Sequence, residues 1–216
     1  MLYPQTVAPG TLELLKQLML DRRLEDFMLV GGTALALQIG HRTSIDLDFF
    51  SVHHFDENEM ALYLEGKNLL TVDFITANTL KGTIQRVKVD FITHSYPLVR
   101  DYMVFDGMRL ASLHDISAFK LNAIVGNGTR LKDFVDIAFL STHLSLNDMV
   151  EAYELKYKTR NPVMPMKALA YHKDINFQEP LNLVAGKLQW DIIAGRIFDM
   201  IQSSKKIFPS VPGIIT

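Results

Sequence analysis

Two neighbouring features, a pair of glycines and a pair of aspartates, constrain the fold of this chain most. Residues 27–30 form a short apolar run that ends at Gly31-Gly32, and residues 33–37 then have the pattern of a helix start. The pattern predicts a strand, a tight turn and a helix N-terminus. Glycine lets the backbone approach a ligand closely, and the first N–H groups of a helix are unpaired. Such a turn can bind a phosphate group.

The aspartates belong to the run 44–50, in which polar and apolar residues alternate. Residues two apart in a strand share a face, so we expect Asp46 and Asp48 to point the same way. Two carboxylates on one face repel each other unless a positive charge lies between them. Mg²⁺ prefers oxygen ligands, takes one or two carboxylates and completes its shell with water and substrate phosphates. Asp46 and Asp48 are therefore candidate ligands of a divalent metal.

An apolar residue, Gly31-Gly32 and then Asp46-Leu47-Asp48 together resemble the signature of the nucleotidyltransferase superfamily. The longer motifs, which add Thr33-Ala34 and the run 42–50, resemble more narrowly the AbiEii/AbiGii toxin family. The resemblance covers most of the chain, and its first half holds the specific motifs. It implies an α+β fold, in which a nucleotidyltransferase-like mixed β-sheet with flanking helices precedes a C-terminal helical bundle.

The resemblance implies a third carboxylate at the catalytic centre, from a later strand beside the Asp46–Asp48 strand. Asp90, in the run 87–91, fits that element better than Asp73, although each could simply be a polar residue on a solvated strand face. Asp46, Asp48 and Asp90 would then hold two Mg²⁺ ions, and Asp90 would also draw the proton from the attacking hydroxyl.

The resemblance also implies a set of residues that bind the triphosphate of an NTP. They are Gly31, Gly32, Thr33, Arg42, Lys120 and Lys132. A planar guanidinium such as that of Arg42 suits bidentate phosphate binding. The family often has an arginine where this chain has Asn127, so the resemblance implies that a phosphate or base contact is either weakened or taken over by Arg130.

Lys120 and Asp133 match a lysine and a Lys-Asp pair in the helical part of the toxin family. The resemblance makes both catalytic, with Asp133 acting directly or orienting Lys120. Asp136 lies on the same helical face as Asp133. The residues alone also allow a different interpretation, because a lysine beside an apolar stripe usually extends to solvent, and Lys132 with Asp136 has the spacing of an ordinary i, i+4 ion pair.

Hydrophobic periodicity divides the chain into an α/β domain at 1–105 and a helical domain at 106–216. In the first domain we expect helices at 11–23 and 55–69, strands at 27–30 and 44–50, and a hairpin of strands 70–76 and 88–93 around Gly82. Beyond residue 97 we expect helices alone, over 112–125, 129–140, 146–158, 164–171 and 191–201.

Composition excludes several classes of protein. The chain of 216 residues has no cysteine, which excludes a disulfide framework, a thiol nucleophile and a Cys-type zinc site. Its net charge of −2 argues against nucleic-acid binding through bulk charge, so a nucleic-acid partner would need a local basic patch. No apolar run approaches the ~20 residues of a membrane span, and no basic-then-apolar leader begins the chain. We expect a cytoplasmic protein without a membrane partner.

The resulting functional hypothesis is a Mg²⁺-dependent nucleotidyltransferase that moves an NMP from an NTP to a hydroxyl acceptor. The resemblance implies an RNA acceptor, such as the 3′ end of tRNA, or a protein hydroxyl, in a toxin with a separately encoded antitoxin. Two alternatives stay open. One is a small-molecule transferase of the antibiotic-modifying type, and the other is a nucleotide-binding module without turnover.

Overall fold

A computed structural model describes residues 2–67 and 69–213. The chain forms two compact units. We call Met1–Gln38, Ser44–Pro97 and Asp101–Ala111 the sheet unit, and Ile39–Thr43, Leu98–Arg100 and Ser112–Thr216 the helical unit. The sequence suggests one boundary at 105/106, whereas the last transition between the units falls at 111/112 and two short earlier segments belong to the helical unit.

Within the described residues, the sheet unit contains three α-helices, besides two short 3₁₀ helices, and one seven-stranded mixed sheet of order β3-β4-β5-β2-β1-β7-β6. This sheet with flanking helices confirms the predicted fold class. The helices are α1 (Pro9–Leu20), α2 (Gly31–Ile39, whose last residue enters the helical unit) and α3 (Glu57–Gly66). The strands are β1 (Met28–Leu29), β2 (Leu47–Ser51), β3 (Leu70–Thr76), β4 (Thr79–Ile84), β5 (Val87–Thr93), β6 (Met103–Phe105) and β7 (Met108–Leu110).

The predicted two-stranded hairpin around Gly82 is wrong, because Gly82 lies inside the additional strand β4. β4 pairs antiparallel with both β3 and β5, so the region forms a three-stranded meander. Its turns carry positive φ angles at Asn78 and at the pair Gln85-Arg86. A Cβ on Gly82 would lie 2.4 Å from the carbonyl oxygen of Thr71 on β3, so the glycine permits close strand approach and does not mark a turn.

A second hairpin, β6–β7, contradicts the expectation of helices alone after residue 97. Its two-residue turn, Asp106-Gly107, has φ angles of 50° and 75°. Asp-Gly between two short apolar runs is a strong sequence signal for such a hairpin. The signal was therefore present in the sequence and outweighed by the helical pattern that follows it.

Strand β2 begins at Leu47, so the prediction that Asp46 shares a strand with Asp48 is wrong. The residues before β2 make other contacts: the Ser44 N–H donates to the carbonyl of Thr6, and Ser44 forms an isolated parallel bridge with Val7. This segment therefore continues as a loop that leads into the sheet.

The helical unit contains five helices in the described residues. They are α4 (Leu113–Gly126), α5 (Leu131–Leu140), α6 (Leu146–Tyr157), α7 (Val163–Leu169) and α8 (Trp190–Gln202). Ser112 caps α4, and Ser145 forms a capping box with Asp148 at the start of α6, which satisfies N–H groups that the first turn leaves unpaired. α5 packs against α4 and is buried along nearly its whole length.

Asp115 ties the segment Leu98–Arg100 to the helical unit. Its carboxylate accepts hydrogen bonds from the backbone N–H groups of Val99 and Arg100 and pairs with Lys156 at 2.8 Å. Asp115 and Lys156 are both buried. Burial alone would raise the pKa of Asp115, but the hydrogen bonds from Lys156 and Ser112 outweigh it and lower the pKa.

Within the part of the chain that the structure describes, no helix has the length and apolar character that crossing a membrane requires.

Candidate active site

Asp48 and Asp90 lie side by side on one face of the sheet. β2 and β5 run parallel, and the two aspartates are direct register partners on strands that are about 4.8 Å apart. Both are half-buried, whereas Leu47 and Phe49 on the opposite face of β2 are fully buried. The sheet therefore brings together two of the three predicted carboxylates.

Lys81 extends this row of charged residues by one strand. It is the register partner of Asp90 on β4, and its Nζ lies 2.5 Å from Asp90 Oδ2. The ammonium group offsets part of the negative charge that Asp48 and Asp90 concentrate on this face. Sequence reasoning missed Lys81, because only the recognition of β4 as a strand would have aligned it with Asp90.

Gly31 lies directly against the Asp48 carboxylate. It is the first residue of α2 and has a φ of 68°, and a Cβ built on it would lie 2.5 Å from Asp48 Oδ2. The helix therefore starts at the glycine pair, two residues earlier than the sequence predicts. The observed fold needs glycine here twice over, for the backbone conformation and for the space that the carboxylate occupies.

We expect Gly31→Ala to lower the free energy of unfolding by about 1–2 kcal/mol, because the left-handed conformation strains an L-residue. The added methyl group would also displace the Asp48 carboxylate, so transfer activity should fall by more than the stability loss explains. Urea denaturation and initial rates measure the two effects. Gly195→Ala is the matched control, since a Cβ at Gly195 in α8 meets nothing within 4 Å. Equal activity in both variants would contradict the close approach at Gly31.

Thr33 shapes the loop that leads to Asp46. Its buried hydroxyl hydrogen-bonds to the carbonyl oxygen of Asp46 and to Ser44 Oγ at 2.8 Å. These contacts hold the backbone of Asp46 in place, while Asp46 itself is exposed to solvent. Thr33 therefore positions a predicted metal ligand, and the roles of Gly32 and Thr33 toward a phosphate stay predictions.

The predicted cations of the helical unit belong to a buried charge cluster, which we define as His41, Arg42, Lys120, Asp133 and Asp136. Arg42 binds Asp136 with two parallel hydrogen bonds, of 2.7 Å from Nε and 2.9 Å from Nη2. His41 Nε2 lies 2.8 Å from the same carboxylate. Arg42 is only 3% exposed. The guanidinium that the resemblance assigns to phosphate is thus engaged by protein acceptors in this structure.

Lys120 connects the two acids of the cluster. Its Nζ lies 2.6 Å from Asp133 and 2.7 Å from Asp136, so both aspartates of α5 share one face toward α4. The lysine is buried, and the alternative that it extends to solvent is wrong. The predicted Lys132–Asp136 pair is also wrong, since Lys132 lies 3.5 Å from Glu179 and Asp136 pairs with Arg42.

Attraction between the opposite charges of the cluster outweighs the cost of burying them. Burial alone would raise the pKa of Asp136, but Arg42 and Lys120 hold it well below its usual value. Burial alone would lower the pKa of Lys120, but Asp136 and Asp133 raise it. Two buried atoms of the cluster have no hydrogen-bond partner within residues 2–67 and 69–213: His41 Nδ1, and Asp133 Oδ2, which lies 3.9 Å from Arg130 Nε.

His41 makes stability depend on pH. Burial lowers its pKa from 6.5, so below that pH the unfolded chain binds a proton that the folded chain does not. We expect the free energy of unfolding to fall as pH drops below 6.5, by up to about 1.4 kcal/mol per unit. Urea denaturation between pH 7.5 and 5 measures this slope. His41→Gln should flatten it and leave the smaller contribution of His143, whose pKa burial also lowers; an unchanged slope would exclude His41 as the source.

The oxygen atoms of Asp48 and Asp90, which we call the carboxylate row, suit a magnesium ion whose coordination shell is completed by the substrate. No group of three or more His, Cys, Asp or Glu side chains within the described ranges is arranged to hold a metal. Mg²⁺ does not require such a cage, because one or two carboxylates, water and substrate phosphates suffice. Asp48 and Asp90 supply two carboxylates, and Asp46 lies on the loop just before β2. Two ions remain a prediction.

Solved structures and a sequence relative resemble this chain over most of its length. A crystal structure of a candidate nucleotidyltransferase from H. pylori has a TM-score of 0.57 at 21% identity and covers 92% of this chain and 96% of its own. The crystal structure of JHP933 from Helicobacter pylori has a TM-score of 0.54 at 20% identity, with 92% and 93% covered. Uncharacterized protein aq_aa25 of Aquifex aeolicus (strain VF5) is 30% identical over 155 residues, which cover 69% of this chain and 75% of that protein.

The family model described as nucleotidyl transferase AbiEii toxin, type IV TA system, matches residues 13–67 and 66–211. The match spans the glycine pair, the carboxylate row and the buried charge cluster, and it confirms the family that the motifs resemble. Family and fold together support a role in nucleotidyl transfer. The chain belongs to the AbiEii nucleotidyltransferase toxin family.

Proposed function

We propose that this protein is a Mg²⁺-dependent toxin that transfers an NMP from an NTP to a hydroxyl group of an RNA acceptor. The observation that carries the proposal is the register pairing of Asp48 with Asp90 beside Gly31. A structural sheet has no need of two adjacent carboxylates on one face, since like charges directly opposite each other are destabilising. A site for a divalent cation and a triphosphate would account for the arrangement, because the cation offsets the repulsion between the two carboxylates.

In this reaction the acceptor oxygen attacks the α-phosphorus of the NTP, a new P–O bond forms, and the bond to the β-phosphate breaks to release pyrophosphate. Asp48 and Asp90 would hold Mg²⁺, with Asp46 close by in sequence. When bound, the ion supplies charge neutralisation at the phosphates and lowers the pKa of the attacking hydroxyl. Asp90 would accept the proton of that hydroxyl. Catalysis then depends mainly on positioning and on electrostatic stabilisation.

Lys81 would adjust the charge of this site. Because its ammonium group contacts Asp90, it reduces the repulsion between the two carboxylates before metal and nucleotide bind. Arg42, Lys120, Lys132 and Asp133 remain the candidates for nucleotide contact in the helical unit. Arg42 and Lys120 bind the same Asp136 carboxylate, and Lys120 also pairs with Asp133, which supports a positioning role for Arg42 toward Lys120.

The acceptor is tested by incubating the whole chain with Mg²⁺, total RNA and each NTP in turn, labelled at the α- or the γ-phosphate. We expect α-label to enter RNA, γ-label to stay out of it, and EDTA to abolish both incorporation and pyrophosphate release. Label in protein alone would exclude the RNA acceptor. Absence of incorporation and of pyrophosphate release with every NTP would contradict the transferase. A separately encoded antitoxin, supported by the family description, should relieve growth arrest on co-expression.

A further inference from the structure

The helical unit is positively charged although the whole chain is not. The sheet unit holds 14 acidic and 8 basic side chains, a net charge of −6, and the helical unit holds 10 acidic and 14 basic ones, a net charge of +4. Arg42, Lys120 and Lys156 are buried in ion pairs. Most of the remaining cations of the helical unit are exposed. This surplus of exposed cations makes the helical unit the part of the chain better suited by charge to a nucleic-acid partner.

This unit also contains a pocket of about 430 Å³, a volume within the usual range of small-ligand sites. The pocket lies between the end of α4 with the loop after it and α7 with the segment after it. The residues used below are Asn127, Gly128, Met164, Lys167, Tyr171 and Asp174.

The two walls of the pocket are joined by backbone contacts. The N–H of Asn176 donates to the carbonyl of Thr129 at 2.8 Å, and Arg130 and Asn176 form a parallel bridge. His172, beside Tyr171, packs edge-on against Phe134 of α5, with 5.6 Å between the ring centroids. The loop and the later segment are therefore held together before any ligand binds, which lowers the entropic cost of binding.

The lining residues have the chemistry of a single-nucleotide site. Tyr171 is 48% exposed, and Met164, which also lines the pocket, is exposed as well, so both residues offer apolar surface to a base. Lys167 is exposed and forms no ion pair with any residue of 2–67 or 69–213, so its ammonium group is available to a phosphate. An aromatic ring beside a cation is how proteins bind single strands with little sequence preference.

Asp174 narrows the class of ligand. A pocket lined by one lysine and one carboxylate is poorly suited to a triphosphate, whose negative charge needs several cations or a metal. A single phosphodiester carries one negative charge, so one cation is enough to neutralise it. The Asp174 carboxylate can in addition accept a hydrogen bond from a ribose 2′-OH, the group that distinguishes RNA from DNA.

We propose that this pocket binds one nucleotide of a single-stranded RNA acceptor, with the base against Tyr171, the phosphate at Lys167 and the ribose hydroxyl at Asp174. The inference rests on the proposed function, because it takes that RNA to be the acceptor of the transfer. It assigns the pocket to the acceptor and not to the NTP.

Binding is measured on the whole chain by fluorescence anisotropy, with a random 12-nucleotide RNA pool and a DNA pool of the same design, without NTP. Tyr171→Ala should weaken RNA binding by about tenfold or more, whereas Tyr171→Phe, which keeps the aromatic ring, should retain most of the affinity. Lys167→Ala should weaken binding. It should also reduce the slope of log affinity against log salt concentration by about one, which corresponds to one phosphate contact. Lys205→Ala, an exposed lysine of the same unit outside the pocket, should change the affinity less than twofold.

Steady-state transfer assays distinguish the acceptor from the nucleotide. Tyr171→Ala should raise the KM for RNA and leave the KM for the NTP unchanged. A raised NTP KM with unchanged RNA binding would overturn the proposal, as would equal affinity for RNA and DNA. If no transfer occurs with any NTP but the Tyr171 and Lys167 variants still lose RNA affinity, the transferase function fails and the RNA pocket stands.

Discussion

Asp48→Asn is expected to abolish nucleotidyl transfer and to leave the fold intact. The amide keeps the shape of the side chain but removes a negative charge from the register pair that Asp48 forms with Asp90. Under the proposed metal role of Asp48, losing this charge should cost about 4 kcal/mol of transition-state stabilisation, on the order of a thousand-fold in rate. Relief of repulsion from Asp90 should keep thermal stability at or above that of the unaltered protein. Transfer of α-labelled NMP and a thermal melt measure the two outcomes.

Two further asparagine variants serve as matched comparisons. Asp90→Asn should lose activity as Asp48→Asn does, because the two carboxylates share one face of the sheet. Asp73→Asn should keep it, since Asp73 is exposed on β3 and accepts a hydrogen bond from Thr83. Full activity in Asp48→Asn would refute the proposed metal role of Asp48. A loss in Asp73→Asn as large as in Asp90→Asn would refute the choice of Asp90 as the third carboxylate.

Arg42→Ala is expected to destabilise the protein by about 3–5 kcal/mol. The substitution leaves Asp136, which has no exposed surface, without the guanidinium that donates two hydrogen bonds to it. Removing one partner of a buried ion pair strands the charge of the other, and this cost exceeds the net stabilisation that the pair provides. Urea denaturation without nucleotide isolates this effect from any contact between Arg42 and phosphate.

The double variant Arg42→Met with Asp136→Leu should recover much of the lost stability, because no unpaired charge stays buried. Arg23→Ala is the surface control. Its ion pair with Glu59 is solvent-exposed, so its removal should cost less than about 1 kcal/mol. If Arg42→Ala were as stable as Arg23→Ala, Arg42 would be free to leave the cluster, and the direct phosphate contact suggested by the family resemblance would gain support.

The parts of the fold that the sequence predicted best are those that local patterns specify. The apolar run before Gly31, the helix after it and the amphipathic helices of the second half all follow from periodicity within a few residues. β4 was missed because Gly82 resembles a turn residue when its neighbours on β3 are unknown. The β6–β7 hairpin was missed for another reason: its Asp106-Gly107 turn signal was outweighed by the helical pattern that follows, and strands of three residues are too short to add a clear alternation.

The same contrast between local sequence patterns and contacts with distant residues applies to the candidate site. Asp48 and Asp90 were found because the motif and the strand pattern are local, and their pairing required only that β2 and β5 be neighbours. The partner of Arg42 lies 94 residues away in sequence, and nothing near Arg42 indicates a buried carboxylate. Lys81 and His41 were missed for that reason too: their importance depends on Asp90 and Asp136, which only the folded chain brings to them.

The assignment of residues 39–43 and 98–100 to the helical unit limits how this protein can be dissected. A fragment starting at Ser112 would lack Arg42 and the amides of Val99 and Arg100, so Asp136 would lose its two guanidinium hydrogen bonds and Asp115 two backbone ones. The helical half should not fold as an independent module, and gene fusions or truncations that treat it as one should yield insoluble protein. Recombination that exchanged this half between relatives would have to carry those two remote segments along.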